Sequence, residues 1–282
     1  MADFSLSPLV IESLVRNALL EDMGYRGDIT SESIIPPSKK ARAVMRARKG
    51  GIVSGIDAAL IAFRLSDPGL KIDAIPEGTS IESGQTILSV DGSARAILMA
   101  ERVALNFVQR MSGVASATQN MVSAVKGTKA RICCTRKTTP GLRVLEKQAV
   151  RSGGGVNHRF GLDDGILIKD NHIAVAGSIR DAVDRVRRCS GHMMRVEVEV
   201  DTLDQLREAL AQKVEAVLLD NMDIPTLRKA VAMVDGKAVI EASGNINADT
   251  VRGVAETGVD LISIGALTHS ARALDIGLDI DV

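Results

Sequence analysis

The chain has 282 residues, of which 45% are hydrophobic and 25% charged, and its 35 basic and 35 acidic side chains cancel. This composition is typical of a globular protein with a sizeable core and one or two domains. Aromatic residues make up only 2%, and the pI is near 6.9, which argues against a nucleic-acid-binding surface.

The sequence contains few features that would indicate a membrane segment, a signal peptide or disulfide bonds. No apolar run has the length of a membrane span, and the N-terminal segment has acids and lacks a basic start, so we expect neither a membrane segment nor a signal peptide. The three cysteines lack metal-ligand spacing. An odd number of such cysteines predicts reduced thiols and a cytoplasmic protein.

The first part of the chain predicts a mixed α/β domain. Apolar residues recur at helical spacing over residues 8–22, and alternation over residues 41–55 predicts a strand. Short strands broken by glycine turns follow over residues 76–92. Residues 94–125 then form one long helical pattern, in which Gly113 is a candidate break and domain junction.

From about residue 130 the chain alternates regularly between strand and helix patterns. Six strand-like segments each precede a helical pattern, namely ARICC, GILIKD, MRVEVEV, AVLLD, AVIEA and LISIG. Such alternation predicts a parallel sheet with crossover helices. Six units that close on themselves form an incomplete barrel. An open doubly wound sheet is the alternative, but no GxGxxG follows the first strand to support a dinucleotide site.

A basic stretch links the first two of these units. Between Arg136 and Arg159 there are six basic residues and one acid, Glu146. For the helix over residues 143–151 a solvated basic face is the favoured interpretation. For Arg136-Lys137 and His158-Arg159 we favour ligand binding, since they flank elements at strand ends and arginine suits bidentate binding of carboxylate or phosphate.

Each of the six strands ends in charged or hydrogen-bonding residues, or in a Gly whose main-chain N–H can be used, at the place where barrel enzymes carry their chemistry. They are Arg136, Lys137, Lys169, Glu197, Glu199, Asp220, Asn221, Glu241, Ser243, Gly244, Ser263 and Gly265. Glu197 and Glu199 share one face of a strand and would need cationic partners if buried. Ser243-Gly244 and Gly265 each separate a strand from an expected helix start, a pattern typical of phosphate binding.

Seven segments of the sequence resemble the motifs of a known enzyme family. LNFVQRMSGVA, TRKTTPGLR, EKQAVRSGGGVNHRFGLDDGILIKDNHI, VEVEV, VLLDNM, EASGNI and GVDLISIGALTHS run in order over nearly the whole chain. In these segments the sequence resembles the quinolinate phosphoribosyltransferase family. The resemblance implies an α/β fold with an N-terminal α/β sandwich domain over residues 1–113 and an incomplete, six-unit α/β barrel over residues 114–272. We expect residues 273–282 to pack back on the N-terminal domain.

The resemblance also implies the reaction and the partners. Phosphoribosyl pyrophosphate and quinolinate, with Mg²⁺, would give nicotinate mononucleotide, pyrophosphate and CO₂, a step of NAD biosynthesis. A homodimer or larger homo-oligomer would share its active sites.

It further implies a role for each matching residue. Arg102 matches an arginine delivered by the partner subunit, and Arg136, His158 and Arg159 match residues that bind the quinolinate carboxylates. Lys137 and Lys169 match lysines near the carboxylates and the pyrophosphate. The remaining matches are Glu199 and Asp220 near the ribose and the metal, which they would bind directly or through water, and Ser243, Gly244 and Gly265 near the 5′-phosphate. The expected catalytic residues are Lys137, Lys169, Glu199 and Asp220.

Two positions depart from the family pattern, and rival functions stay open. Cys134 stands where the family often has Asp, and Gln148 where it often has Tyr. The rivals are a homologue acting on another anionic acceptor, a phosphosugar isomerase or decarboxylase, and a non-catalytic ligand-binding relic.

Overall fold

The computed structural model of the chain describes residues 6–281. Its strands are β1 Lys40–Ala47, β2 Gly51–Ile52, β3 Lys71–Ala74, β4 Ser80–Ile81, β5 Thr86–Ser93, β6 Arg131–Cys133, β7 Ile166–Ile168, β8 Val196–Val200, β9 Ala216–Asp220, β10 Val239–Ser243, β11 Leu261–Ser263 and β12 Ile276–Asp281. Its helices are α1 Pro8–Met23, α2 Ile29–Ile34, α3 Ile56–Ser66, α4 Ala94–Ala124, α5 Arg143–Ser152, α6 Asp170–Ala176, α7 Ile179–Cys189, α8 Leu203–Ala211, α9 Ile224–Val234, α10 Val251–Ala255 and α11 Ala266–His269. Within the described range, no helix combines the length and apolarity needed to cross a membrane.

The chain divides into two compact units, and each unit is made of more than one segment of the sequence. The first comprises the chain up to Gln119, Thr139–Gly154 and the chain from His269 onward. The second comprises Asn120–Thr138 and Gly155–Thr268. The boundaries at residues 113 and 272 were drawn from the sequence alone and stay predictions.

The first unit is built on an antiparallel sheet. Its strand order is β12-β1-β5-β3, and β2 pairs with β4 in a separate two-stranded sheet. Helix α1 contacts α3 and buries Ile11, Val15 and Leu19, which lie four residues apart and therefore on one helix face. The C-terminal strand β12 pairs with β1 at the edge of the four-stranded sheet.

Helix α4 continues through Gly113, so the predicted break at that residue is wrong. The helix runs for 31 residues. A Cβ at Gly113 would overlap the carbonyl group of Arg272, in the same unit. The glycine therefore permits close approach of a second chain segment, a use of glycine that its sequence pattern cannot distinguish from a helix break.

Helix α5 contradicts the prediction of a solvated basic face. Glu146 and Lys147 are fully buried, and α5 belongs to the first unit although it follows β6 in the chain. Glu146 accepts hydrogen bonds from Arg110 Nη2 at 2.7 Å and from the main-chain N–H of Thr139 at 3.0 Å. A buried carboxylate with charged and main-chain donors satisfies the condition for burying a charge.

The second unit contains the predicted six-stranded parallel sheet. Its order is β6-β11-β10-β9-β8-β7, so the first strand pairs with the last and the ladder is open between β6 and β7. This order confirms the incomplete barrel and excludes the doubly wound alternative. The core of the unit contains strand residues Val198, Val217, Ile240 and Ile262 and helix residues Val183, Leu206, Leu227 and Val251.

Strand β8 alternates as predicted. Val196, Val198 and Val200 are buried in the core of the second unit, whereas Glu197 and Glu199 on the opposite face are half-buried. Because successive side chains of a strand point to opposite faces, the valines that pack the core direct both glutamates to the interior of the incomplete barrel.

Candidate active site

Parallel pairing places the predicted residues of the second unit at one edge of its sheet. This edge is formed by the carboxyl ends of β6–β11 and the loops that follow them, and it is here called the rim. Its predicted members are Arg136, Lys137, Lys169, Glu199, Asp220, Ser243, Gly244 and Gly265. His158 and Arg159 follow Val156, which forms an isolated parallel bridge with Cys133 of β6. Arg102 lies in the first unit, exposed on α4.

An ion pair joins two rim strands. Lys169, the residue before α6, contacts Glu199 of β8 through its Nζ atom. The glutamate side chain is 13% exposed and the lysine 46%. This contact supplies the cationic partner that the interior glutamates were expected to need. It also sets a cation beside an anion at a position open to solvent.

Asp220 is held by a chain of amides. Asn221 Nδ2 donates to Asp220 Oδ2 at 2.7 Å, and Asn245 Nδ2 donates to Asn221 Oδ1 at 3.1 Å. Both asparagines have positive φ, and Gly244 between Ser243 and Asn245 has φ of +96°. A Cβ at Gly244 would overlap Asn221 Oδ1. Strained backbone and a required glycine at one rim position indicate a functional constraint.

Arg159 carries the signs of an anion-binding group. Its Nη1 donates to the carbonyl of Gly165 at 2.8 Å, while its Nε is buried without a hydrogen-bond partner among the described residues. Burial and, after it, the charge of Arg136 lower the pKa of Arg159. An anion bound by the two guanidinium groups would relieve both effects.

A buried acid cluster lies inside the barrel. His158 Nε2 is 2.9 Å from Glu197 Oε2 and 3.8 Å from Glu241 Oε2. Glu241 is 1% exposed, and its Oε1 has no hydrogen-bond partner in the described part of the chain. Burial and, after it, the charge of Glu197 raise the pKa of Glu241 to about 7. Glu241 therefore ionises less readily at neutral pH than a solvated glutamate does.

Sequence reasoning underrated this cluster. The sequence pattern marks Glu241 only as a polar strand end, and it marks Glu197 as a strand-end residue on the face of Glu199, without linking the two. Since Glu241 lies two residues before Ser243 on β10, it shares that residue's face, and this spacing was the available signal. Cys134, the departure from the family pattern, is buried and donates its thiol hydrogen to Asn157 Oδ1 at 3.2 Å.

The expected helix start directly behind Ser243-Gly244 is wrong. Helix α10 begins only at Val251 and has five residues, and α11, directly after Gly265, has four. Such short helices add little dipole field, so main-chain N–H groups of the loops are the candidate main-chain donors for an anion at this end of the rim.

Comparison with known proteins gives matches over nearly the whole chain. The family model for the N-terminal domain of quinolinate phosphoribosyl transferase matches residues 28–112, and the model for its C-terminal domain matches residues 114–279. A probable nicotinate-nucleotide pyrophosphorylase (carboxylating) of Bacillus subtilis is 42% identical over 98% of this chain and 95% of its own. The carboxylating nicotinate-nucleotide pyrophosphorylase of Mycobacterium leprae is 45% identical over 94% of this chain and 95% of its own.

Solved structures agree. The nicotinate-nucleotide pyrophosphorylase from Francisella tularensis superposes with a TM-score of 0.94 at 37% identity, covering 98% of both chains. That from Ehrlichia chaffeensis gives a TM-score of 0.91 at 43% identity, covering 95% of this chain and 98% of its own.

We expect Glu241→Gln to remove a pH-dependent loss of stability. The carboxyl ionises near 4.5 when unperturbed and at about 7 in the fold, so between these values the folded state holds the extra proton and the free energy of unfolding falls as pH rises. The difference between the two pKa values corresponds to about 3 kcal/mol. Denaturant unfolding at pH 5 to 8 measures it, with the exposed Glu256→Gln as control. Parallel stability profiles for the wild type and Glu241→Gln would contradict the assignment.

Proposed function

The chain belongs to the quinolinate phosphoribosyltransferase family, and we propose that its rim carries out that family's reaction. The enzyme transfers the phosphoribosyl group of phosphoribosyl pyrophosphate to quinolinate and releases pyrophosphate and CO₂, which leaves nicotinate mononucleotide. The observation that carries this conclusion is identity of 42–45% to carboxylating nicotinate-nucleotide pyrophosphorylases over 94–98% of this chain.

The acceptor is proposed to bind at Arg136 and Arg159. Quinolinate has two carboxylates. The charge of Arg136 is close enough to lower the pKa of Arg159, and two guanidinium groups this close suit a dianion. The Nε of Arg159, which is buried and has no hydrogen-bond partner among residues 6–281, favours the same assignment. Fixing both carboxylates orients the ring nitrogen toward the anomeric carbon of the sugar, and such orientation lowers the entropic part of the barrier.

The donor is proposed to bind along the rest of the rim. Lys137 and Lys169 face the pyrophosphate, and Ser243, Gly244 and Gly265 take the 5′-phosphate. As the bond between the anomeric carbon and the pyrophosphate oxygen breaks, negative charge grows on the leaving group and positive charge on the sugar. The lysines stabilise the first, and Glu199 and Asp220 stabilise the second.

Glu199 and Asp220 also fit Mg²⁺. Each is half-buried on neighbouring strands, and each already gives one oxygen to a protein donor, Lys169 or Asn221. The other carboxylate oxygens are hard ligands of the kind Mg²⁺ prefers, directly or through water. When bound, the ion would neutralise charge on the pyrophosphate.

Decarboxylation follows from the first step. The ring nitrogen forms its bond to the sugar with its own lone pair and becomes positive, so no general base on the protein is required. The bond to the adjacent carboxylate then breaks, CO₂ leaves, and its electron pair stays on the ring carbon beside the cationic nitrogen until that carbon takes up a proton. Residues that hold this carboxylate in place keep it aligned for the loss.

Assembly and compartment are proposed on separate grounds. Arg102 is exposed on α4, and a homodimer or larger homo-oligomer would let it complete the site of a partner subunit. The odd number of cysteines, three without metal-ligand spacing, favours a reducing compartment, and we propose the cytoplasm.

The first test is a Mg²⁺-dependent assay with phosphoribosyl pyrophosphate and quinolinate that follows CO₂ and nicotinate mononucleotide. Nicotinate, which lacks the second carboxylate, serves as the matched control acceptor. We expect product from quinolinate alone, since two arginines bind a dianion. Activity with another anionic acceptor only would favour the first rival function, and binding of quinolinate without turnover would favour the relic.

Arg159→Ala should lower kcat/KM for quinolinate by at least about thirtyfold, because truncating one member of a buried charge-assisted contact costs on the order of 2–5 kcal/mol. Arg136→Ala should act in the same direction. Arg188→Ala, an exposed arginine on α7, is the control for removal of a positive charge. Near-normal activity of both Arg136→Ala and Arg159→Ala would refute the acceptor assignment.

Arg102→Ala should be inactive alone and regain activity when mixed with inactive Lys169→Ala under conditions that exchange subunits. The two defects would then lie in different sites of one oligomer, which leaves some sites intact. The activity of the mixture is compared with the activity of each variant alone, and an increase shows that exchanged subunits have formed intact sites. Mixed oligomers that form without regaining activity would refute a site shared between subunits.

A further inference from the structure

Both ring nitrogens of His158 are engaged by the protein. The main-chain N–H of Arg159 donates to Nδ1 at 2.7 Å. An Nδ1 that accepts carries no proton, so the proton of the neutral ring is on Nε2 and is donated to Glu197 Oε2 at 2.9 Å. The histidine side chain is only 15% exposed. These contacts turn the ring toward the interior of the barrel.

This arrangement is a hydrogen-bonded cluster and differs from a metal site. One atom each of His158, Glu197 and Glu241 lies within 4.8 Å of the others, which is close enough for shared metal ligands. However, a metal would need the lone pair of Nε2, where the acceptor role of Nδ1 has placed a proton. The 2.9 Å separation is an ordinary hydrogen-bond length.

Two contacts fix Arg159 itself, and a third group of hydrogen bonds closes the loop that follows it. His158 holds its main-chain N–H, and the carbonyl of Gly165 holds its guanidinium. The loop between them is closed by Asp164, whose carboxylate accepts from the main-chain N–H groups of Phe160 at 2.6 Å and Gly161 at 2.8 Å. A long flexible side chain thereby gains one defined starting point and direction, and such preorganisation reduces the entropy lost on binding a ligand.

We propose that His158 and Glu197 are positioning residues that act on the acceptor through Arg159 and do not touch it themselves. Glu197 orients the imidazole, and the imidazole holds the main chain of Arg159, which sets the guanidinium at the depth where an acceptor carboxylate binds. The proposal rests on the proposed function of Arg159 and deepens it. The ring of His158 would otherwise be expected to bind a carboxylate directly.

A double-mutant cycle tests the proposal in the full-length enzyme. Glu197→Ala should raise the KM for quinolinate about tenfold, the effect of one lost hydrogen bond, and change the KM for phosphoribosyl pyrophosphate less than about twofold. Glu197→Gln keeps an acceptor for Nε2–H and should recover most of that loss. In an Arg159→Lys background, Glu197→Ala should add less than about twofold, since residues that act through one another are not additive.

Additive effects in the cycle would overturn the proposal. So would an equal rise in the KM for phosphoribosyl pyrophosphate, because Glu197 would then act through Glu199 on the same strand. A loss that is merely structural would lower the amount of folded enzyme and leave both KM values unchanged, and it also counts against positioning.

A second measurement does not depend on turnover. The chain has four histidines, so ¹⁵N-histidine NMR gives few ring signals, and His158→Asn assigns those of His158. We expect a protonated Nε2 and an unprotonated Nδ1 at pH 7.5, unchanged by equimolar Zn²⁺. An Nδ1–H tautomer, a doubly protonated ring, or a His158 signal shifted by Zn²⁺ would overturn the arrangement. If the wild-type enzyme shows no turnover of quinolinate, the proposed function is refuted. The NMR measurement then still decides whether the hydrogen bonds of His158 are as described.

Discussion

Parallel pairing of β6 to β11 is the constraint on which the rest of the second unit depends. It brings the carboxyl ends of all six strands to one edge, so loops that are far apart in the sequence meet there. Along β8, the alternation of side chains then sets the direction of the charged groups. The three valines pack in the core, so Glu197 and Glu199 on the opposite face point inward. The positions of the charged groups are therefore set largely by main-chain hydrogen bonds and aliphatic packing.

The charges so placed are not arranged for stability. Burial raises the pKa of Glu241 and lowers that of Arg159, which means that the fold disfavours the charged form of each. The Lys169–Glu199 pair is partly open to solvent, where ion pairs contribute little. Perturbed groups collected at one edge of a sheet are typical of sites maintained for function at some expense of stability.

Local patterns predicted the parts of this structure that local forces determine. The six strands followed from apolar runs and turn residues, and the rim residues followed from the strand ends. The burial of Glu146 and Lys147 was missed because it depends on packing within the first unit, including the pair with Arg110. Gly113 was misread since one residue type serves both helix breaks and close packing. Glu241 was underrated because its environment comes from His158 and Glu197, on other segments of the chain.

The pairing of β12 with β1 has a consequence for how the protein is made. The four-stranded sheet of the first unit joins segments from opposite ends of the chain. During synthesis β1 leaves the ribosome early and stays an unpaired sheet edge until β12 follows, whereas the strands of the second unit pair with partners made in the interval. The nascent chain therefore exposes a template for intermolecular strand addition until β12 has been made. The charged side chains of Lys40, Arg42 and Arg46 along β1 are of the kind that discourages such addition.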